Sequence, residues 1–191
     1  MASLPMVILP IQTLRDRSRE LTKTEILLPE MQQFFIDMVP HMYEYDGIGL
    51  AAPQVGRNIR MCIIGKEAIG RAKRPEKSEH GRTDKIDLVL INPVFQKLSK
   101  KMTEDTEGCL SVPGFYGQVR RYKEIYVTAL DYKGKLIEFA AHDFFARVIQ
   151  HEIDHLEGNL FIDRAYDLYQ SEHKTKLDPK TVVKNIKEIV D

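Results

Sequence analysis

Gln150-His151-Glu152-Ile153-Asp154-His155-Leu156 is the stretch from which the rest of the chain can be read. Two histidines stand four residues apart, and on a helix positions i and i+4 lie on one face. Both imidazoles can therefore reach one metal ion. Glu152 lies about 100° round the helix from His151, at the edge of that face, where its carboxylate can act as a general base. Two ligands and a base in five residues make the H-E-x-x-H pattern of metal-dependent hydrolysis. The competing reading, two core histidines bonded to backbone, leaves the glutamate between them without a task.

Working outward, Asp143 is a suitable N-cap and Gly158-Asn159 a suitable stop, so the spacing predicts a helix between them. Phe144, Arg147, Val148 and His155 fall on the side of His151. Phe145, Ile149, Ile153 and Leu156 fall on the other side. A helix apolar on both sides is buried on both, so the histidines look into a partly apolar pocket. Before this helix, Glu124 to Ala141 reads as a β-hairpin turning near Asp131-Tyr132-Lys133-Gly134. Ile59 to Ile64 and Asp87 to Ile91 read as strands, the second ended by Asn92-Pro93. Met31, Phe34, Phe35, Met38, Met42 and Tyr45 keep helical spacing over 28–45, with Pro40 expected to kink or split that helix. Residues 1–24 read as an extended piece and a short helix or loop. Residues 65–86 read as an exposed insertion, and Leu160-Phe161-Ile162 as a short strand. Residues 166–191 are polar, with a weak helical pattern in Val182, Val183, Ile186, Ile189 and Val190.

A catalytic site of this kind wants a third protein ligand and an open position. A histidine at 161 would supply it in one known pattern, but Phe161 is there. Glu172 is a second candidate, in a polar tail. The favoured one is Cys109, in Glu107-Gly108-Cys109-Leu110-Ser111-Val112-Pro113-Gly114, where the glycines and proline suggest a shaped loop and the thiolate suits a soft or borderline metal. A third stretch, Gly47-Ile48-Gly49-Leu50-Ala51-Ala52-Pro53-Gln54-Val55-Gly56, disfavours regular helix or strand and carries one polar side chain at its centre, Gln54.

In order, Gly47 to Gln54, Glu107 to Ser111 and Gln150 to Leu156 resemble the three signature motifs of peptide deformylases, over roughly residues 5–165. The resemblance implies an α+β fold, with mixed β-sheets packed around a central helix carrying the metal motif, in one catalytic domain over 1–191. It implies removal of the N-formyl group from the N-terminal methionine of new polypeptides, with release of formate. It implies that Cys109, His151 and His155 hold one divalent ion, Fe²⁺ first, with Zn²⁺, Ni²⁺ or Co²⁺ as substitutes. Glu152 would be the base, and the Gln54 amide and the Leu110 N–H would face the developing oxyanion. Ile48, Phe144 and Val148 would line the methionine pocket, and backbone around Gly49 and Gly114 would pair with the substrate. The expected partner is the formyl-Met nascent chain, met at the ribosome near its exit tunnel. Tyr116 stands where many relatives carry an arginine, and Arg147 where an apolar residue is common.

Composition excludes several other classes. Lysine plus arginine and aspartate plus glutamate balance at 28 each, and neither half of the chain is basic, so no nucleic-acid surface is expected. No run reaches the roughly 18 apolar residues of a membrane span, and the first residues lack a signal peptide's charged start and apolar core. Two cysteines, Cys62 and Cys109, without such a signal suggest a reducing, cytoplasmic location. Two rivals remain. A zinc endopeptidase would use Glu172 and leave Cys109 and Gln54 idle. A structural metal module would close its site with a fourth ligand, for which His142 is the nearby spare.

Overall fold

The computed structural model describes residues 4–70, 87–171 and 176–190. After a 3₁₀ turn at Gln12–Leu14 come α1 (Lys23–Ile26) and α2 (Pro29–Glu44), then β1 (Gly49–Ala51), a 3₁₀ turn at Ala52–Val55, β2 (Met61–Ile64) and α3 (Lys66–Gly70). β3 (Leu88–Lys97), β4 (Met102–Cys109), β5 (Val112–Tyr122), β6 (Glu124–Leu130) and β7 (Leu136–His142) follow. The chain then forms α4 (Asp143–Leu156), α5 (Phe161–Arg164), β8 (Leu168–Gln170), β9 (Lys176–Leu177) and α6 (Pro179–Val190). The fold is α+β, with two sheets of antiparallel pairs. One has the order β1-β2-β3-β6-β7, the other β4-β5-β8-β9.

The five-stranded sheet lies between two helices because its strands are apolar on both faces. Cys62 and Ile64 of β2 join Leu90, Val127, Phe145, Ile149 and Ile153 in a core shared with α4. Met61 and Ile63, pointing the other way by the period-two rule, join Met31, Phe34, Phe35, Met38 and Met42 of α2. Each such side chain contributes roughly 1.5–3 kcal/mol when fully buried. A third cluster backs the four-stranded sheet, where Val112, Phe115 and Val119 of β5 meet Leu9, Phe161, Leu168 and the α6 residues Val182 and Ile186. α4 touches strands of both sheets, which brings its histidines to their seam.

Several local expectations need correction. α2 runs unbroken through Pro40. The bond that proline cannot make would fall on the carbonyl of residue 36, and Ile36 is 63% exposed, on the side where solvent can replace it. β3 does not end at Asn92-Pro93 but bulges there. Asn92 takes a left-handed backbone (φ 51°), and its side-chain amide grips both backbone groups of Leu21, at 2.9 and 2.8 Å. Leu160-Phe161-Ile162 enters a helix, because Asp163 accepts from the Leu160 N–H at 2.8 Å and closes the first turn. His142, not Asp143, is the N-cap of α4. Of the 65–86 insertion, 66–70 form α3 and 71–86, with His80, lie outside the described residues, as does Glu172.

Candidate active site and metal centre

The predicted shaped loop around Cys109 is instead a hairpin. β4 and β5 pair along Met102–Cys109, and the chain reverses at Leu110-Ser111, next to a register shift between Gly108 and Cys109. That places the Cys109 thiol against α4. Its Sγ lies 3.2 Å from the His155 ring nitrogen Nε2, and the ligand atoms of Cys109, His151 and His155 all fall within 4.8 Å of one another. Neither cysteine is in a disulfide, and Cys62 is buried in the strand core.

β1 is an edge strand. The Ile48 carbonyl accepts from Gly65 at 2.9 Å. By antiparallel alternation, the backbone groups of Gly49 therefore face away from β2, out of the free edge of the sheet. Gly49 must be glycine, since a Cβ there would overlap the Glu152 carboxylate. The stretch around it does include a three-residue strand, contrary to expectation. The 3₁₀ turn that follows holds Gln54, which is 2% exposed. Its Oε1 accepts from the Ala51 N–H at 2.9 Å, which leaves the amide nitrogen aimed at Cys109 Sγ, 3.5 Å away.

Behind the ligands lies a buried charge network. Glu107 accepts from Arg121 at 2.9 and 2.8 Å and from Arg147 at 2.7 Å. It also faces His151 Nδ1 at 3.0 Å. A carboxylate so furnished can only accept, so His151 Nδ1 carries the hydrogen, and Nε2 is the ring atom left to face an ion in place of a proton. Arg121 also reaches Asp154, which Arg164 clamps at 2.6 and 2.7 Å. Arg147 spends its remaining donors on the carbonyls of Val119 and Thr103. The sequence places Arg147 on the ligand face, but no motif spacing singles out Glu107 and Arg121 as its complement. The available signal was physical: an inward-facing guanidinium requires a buried anion.

The electrostatics ask for one positive charge. Burial pushes the Glu107 carboxyl up, but hydrogen bonds from Arg121 and His151 outweigh it and hold it far below its ordinary range. Burial also opposes charge on His151, yet the Cys109 thiol and the Glu107 and Glu152 carboxylates raise it well above its ordinary value. His155 is held well below its ordinary value by burial and then by the His151 charge. The two imidazoles are thus pushed in opposite directions, His151 towards the charged form and His155 towards the neutral one. A bound cation would replace the His151 proton, and the Cys109, His151 and His155 donor set suits a borderline divalent metal. Glu152 is 4% exposed, its Oε2 lacks a hydrogen-bond partner, and burial pushes its pKa up to about 7. An adjacent cation would pull that value down, because opposite charge favours the ionised form.

A cleft of about 810 Å³ opens onto this cluster. Ile48, Gly49, Gln54, Cys109, Leu110, Gly114, Phe144, Val148, His151 and Glu152 all line it. His155 is buried just behind. The Gly114 carbonyl already accepts from Ser171 at 2.9 Å, so β8 occupies part of the backbone assigned to substrate there. Among the described residues, no fourth His, Cys, Asp or Glu joins the three.

Residues 3–171 match the family model described as polypeptide deformylase. "Peptide deformylase 2" of Gloeobacter violaceus is 39% identical, over 92% of this chain and 86% of its own. "Peptide deformylase 2" of Vibrio cholerae is 40% identical over 98% of both chains. A class I type b peptide deformylase from Acinetobacter baumannii, solved with Met-Ala-Ser bound, superposes with a TM-score of 0.73 at 32% identity, over 85% of this chain and 98% of that one.

Proposed function

Since the chain belongs to the polypeptide deformylase family, and so is a hydrolase that removes the N-formyl group from newly made polypeptides, we propose that Cys109, His151 and His155 hold the divalent metal of that reaction. The observation that carries this reading is the meeting of those three ligand atoms beside the unpartnered carboxylate of Glu152. When bound, the ion would supply Lewis acidity to the attacking water and to the formyl carbonyl.

The chain's own residues supply the rest. Glu152 accepts the proton of the attacking water and passes it to the leaving amine as formate departs. The Gln54 amide, held by the Ala51 N–H, and the Leu110 N–H donate to the oxygen on which charge develops. The free edge of β1 at Gly49 pairs with the peptide backbone as an added strand, with Gly114 opposite. Ile48, Phe144 and Val148 receive the methionine side chain. The relative solved with Met-Ala-Ser supports this, since that ligand is a peptide beginning with methionine.

Iron(II) is the ion we assign, with Zn²⁺, Ni²⁺ or Co²⁺ able to occupy the same ligands. Zn²⁺ binds such a set more tightly than Fe²⁺, and a thiolate beside iron is prone to oxidation, so aerobic preparation should enrich the zinc form. A substrate that is a nascent chain supports action at the ribosome, and two unpaired cysteines support a cytoplasmic location. Anaerobic loading with each ion, followed by specific activity per bound metal on a formyl-Met peptide, tests the assignment. Activity of the zinc form equal to the iron form would remove iron from it, and inactivity of every form would remove the ligand set.

A further inference from the structure

Tyr116 of β5 lines the cleft with 38% of its surface exposed, and the hydrolysis as described leaves it unused. Two neighbours hold its ring. On one side it lies opposite Gly108 of β4, where a Cβ would come within 2.8 Å of the ring edge. On the other it lies opposite Tyr169 of β8, ring centroids 6.0 Å apart and planes tilted by 26°. That is the range of an offset stack. β8 is anchored by the Ser171 N–H on Gly114 and by the Gln118 N–H on Asp167, at 3.2 Å. The two rings thus make an aromatic shelf across β5 and β8, with Tyr116 at its cleft end and Gly108 leaving room for that ring. A single exposed aromatic needs no explanation. A stacked pair continuous with a substrate cleft offers rigid apolar area of the kind recognition surfaces use. The guanidinium lining the cleft, that of Arg147, is buried and bonded to Glu107, so the shelf favours apolar partners over acidic ones.

We propose that Tyr116 and Tyr169 form a subsite for an aromatic or large apolar side chain at the second or third residue of the formylated peptide. This rests on the deformylase reading. An extended peptide sends successive side chains to opposite faces, so seating the methionine against Ile48, Phe144 and Val148 leaves a following side chain free to meet the opposite wall. The pair thereby sets which nascent N-termini are processed fastest.

The test compares kcat/KM of the metal-loaded enzyme on formyl-Met-Phe-Ala and formyl-Met-Ala-Phe with that on formyl-Met-Ala-Ala. One phenylalanine peptide should be preferred by roughly two- to tenfold, the span of an aromatic contact. Tyr116→Ala and, independently, Tyr169→Ala should bring that ratio towards one, while Tyr116→Phe keeps it. The chain has no tryptophan, so fluorescence anisotropy of Met-Trp-Ala and Met-Ala-Trp reads product binding directly and should weaken in both alanine variants. Ratios of one in the wild type, a ratio that survives both alanine substitutions, or its loss in Tyr116→Phe would overturn the subsite and leave deformylation standing. A metal-loaded wild type that deformylates none of the three peptides would end the deformylase reading and this proposal with it.

Discussion

The two sheets flank one helix and differ in nearly everything else. In the five-stranded sheet, every residue of β2 is buried, with Cys62 and Ile64 towards α4 and Met61 and Ile63 towards α2. In the four-stranded sheet, β4 is largely exposed, and one face of β5 carries Phe115 and Val119 to an apolar cluster and Arg121 to the rear of the histidines, while the other presents Tyr116 to the cleft. The buried charges Glu107, Arg121, Arg147 and Asp154 gather where the second sheet meets α4. Removing one partner from such a group costs about 3–5 kcal/mol, because the other charges stay buried and uncompensated. The first sheet therefore supplies cohesion through area, and the second supplies orientation through paired charge. A change in one should register as stability, and in the other as metal affinity and turnover.

The two cysteines break this division most sharply if it is wrong. Cys109→Ala removes the proposed ligand that the second sheet supplies. Bound metal should fall to background and deformylation with it, measured as metal content and turnover of anaerobically purified protein. Cys62→Ala removes a buried thiol from the first sheet and should keep full metal stoichiometry. Equal metal content in the two variants would sink both the ligand assignment and the contrast.

Glu152→Gln comes next. It leaves all three ligands in place, so metal content should hold while turnover falls on the order of 10²–10⁴-fold, the usual worth of an acid–base group. Near-normal turnover would strip Glu152 of its role. Glu107→Gln acts one step further out. It loosens the His151 ring and leaves Arg121 and Arg147 short of their anion, so metal affinity should fall roughly 10–100-fold, read by competition with a chelator. An unchanged affinity alongside a lowered Tm would make Glu107 a stability residue only.

The same division explains what could be read from the sequence. β2, the first part of β3, the β6–β7 hairpin and α4 were legible because area is written in apolar periodicity. Four residues of the cleft were legible too, His151 and Glu152 through their spacing, Cys109 as the remaining ligand candidate and Gln54 through the family resemblance of its motif, and all four line one cavity. β4 and β5 were not, since Met102–Cys109 runs polar and glycine-bearing and is held by cross-strand charge, as where Arg120 meets Glu104 at 2.8 Å. No periodicity marks such a strand. Tyr169 was hidden for another reason. Its partner Tyr116 lies 53 positions earlier, and only the β5–β8 pairing brings the two together.

The smallest effect sharpens the comparison from the other side. Ile63 is fully buried in β2, in register with Leu50 of β1 and Val89 of β3. It packs with the α2 cluster, on the face turned away from α4. Ile63→Val deletes one methyl group at constant shape and charge, which costs about 0.5–1.5 kcal/mol. For a chain of 191 residues, each kcal/mol shifts Tm by roughly 2–4 °C, so a drop of about 1–6 °C is expected by calorimetry of the metal-loaded protein. Metal affinity and kcat/KM should stay at wild-type values, because Ile63 shares no contact cluster with the ligands and the β1 edge that meets substrate is held by backbone bonds that valine preserves. If Ile63→Val weakened metal binding as far as Glu107→Gln does, the first sheet would be tuning the site as well as supporting it, and cohesion and chemistry could no longer be assigned to separate sheets.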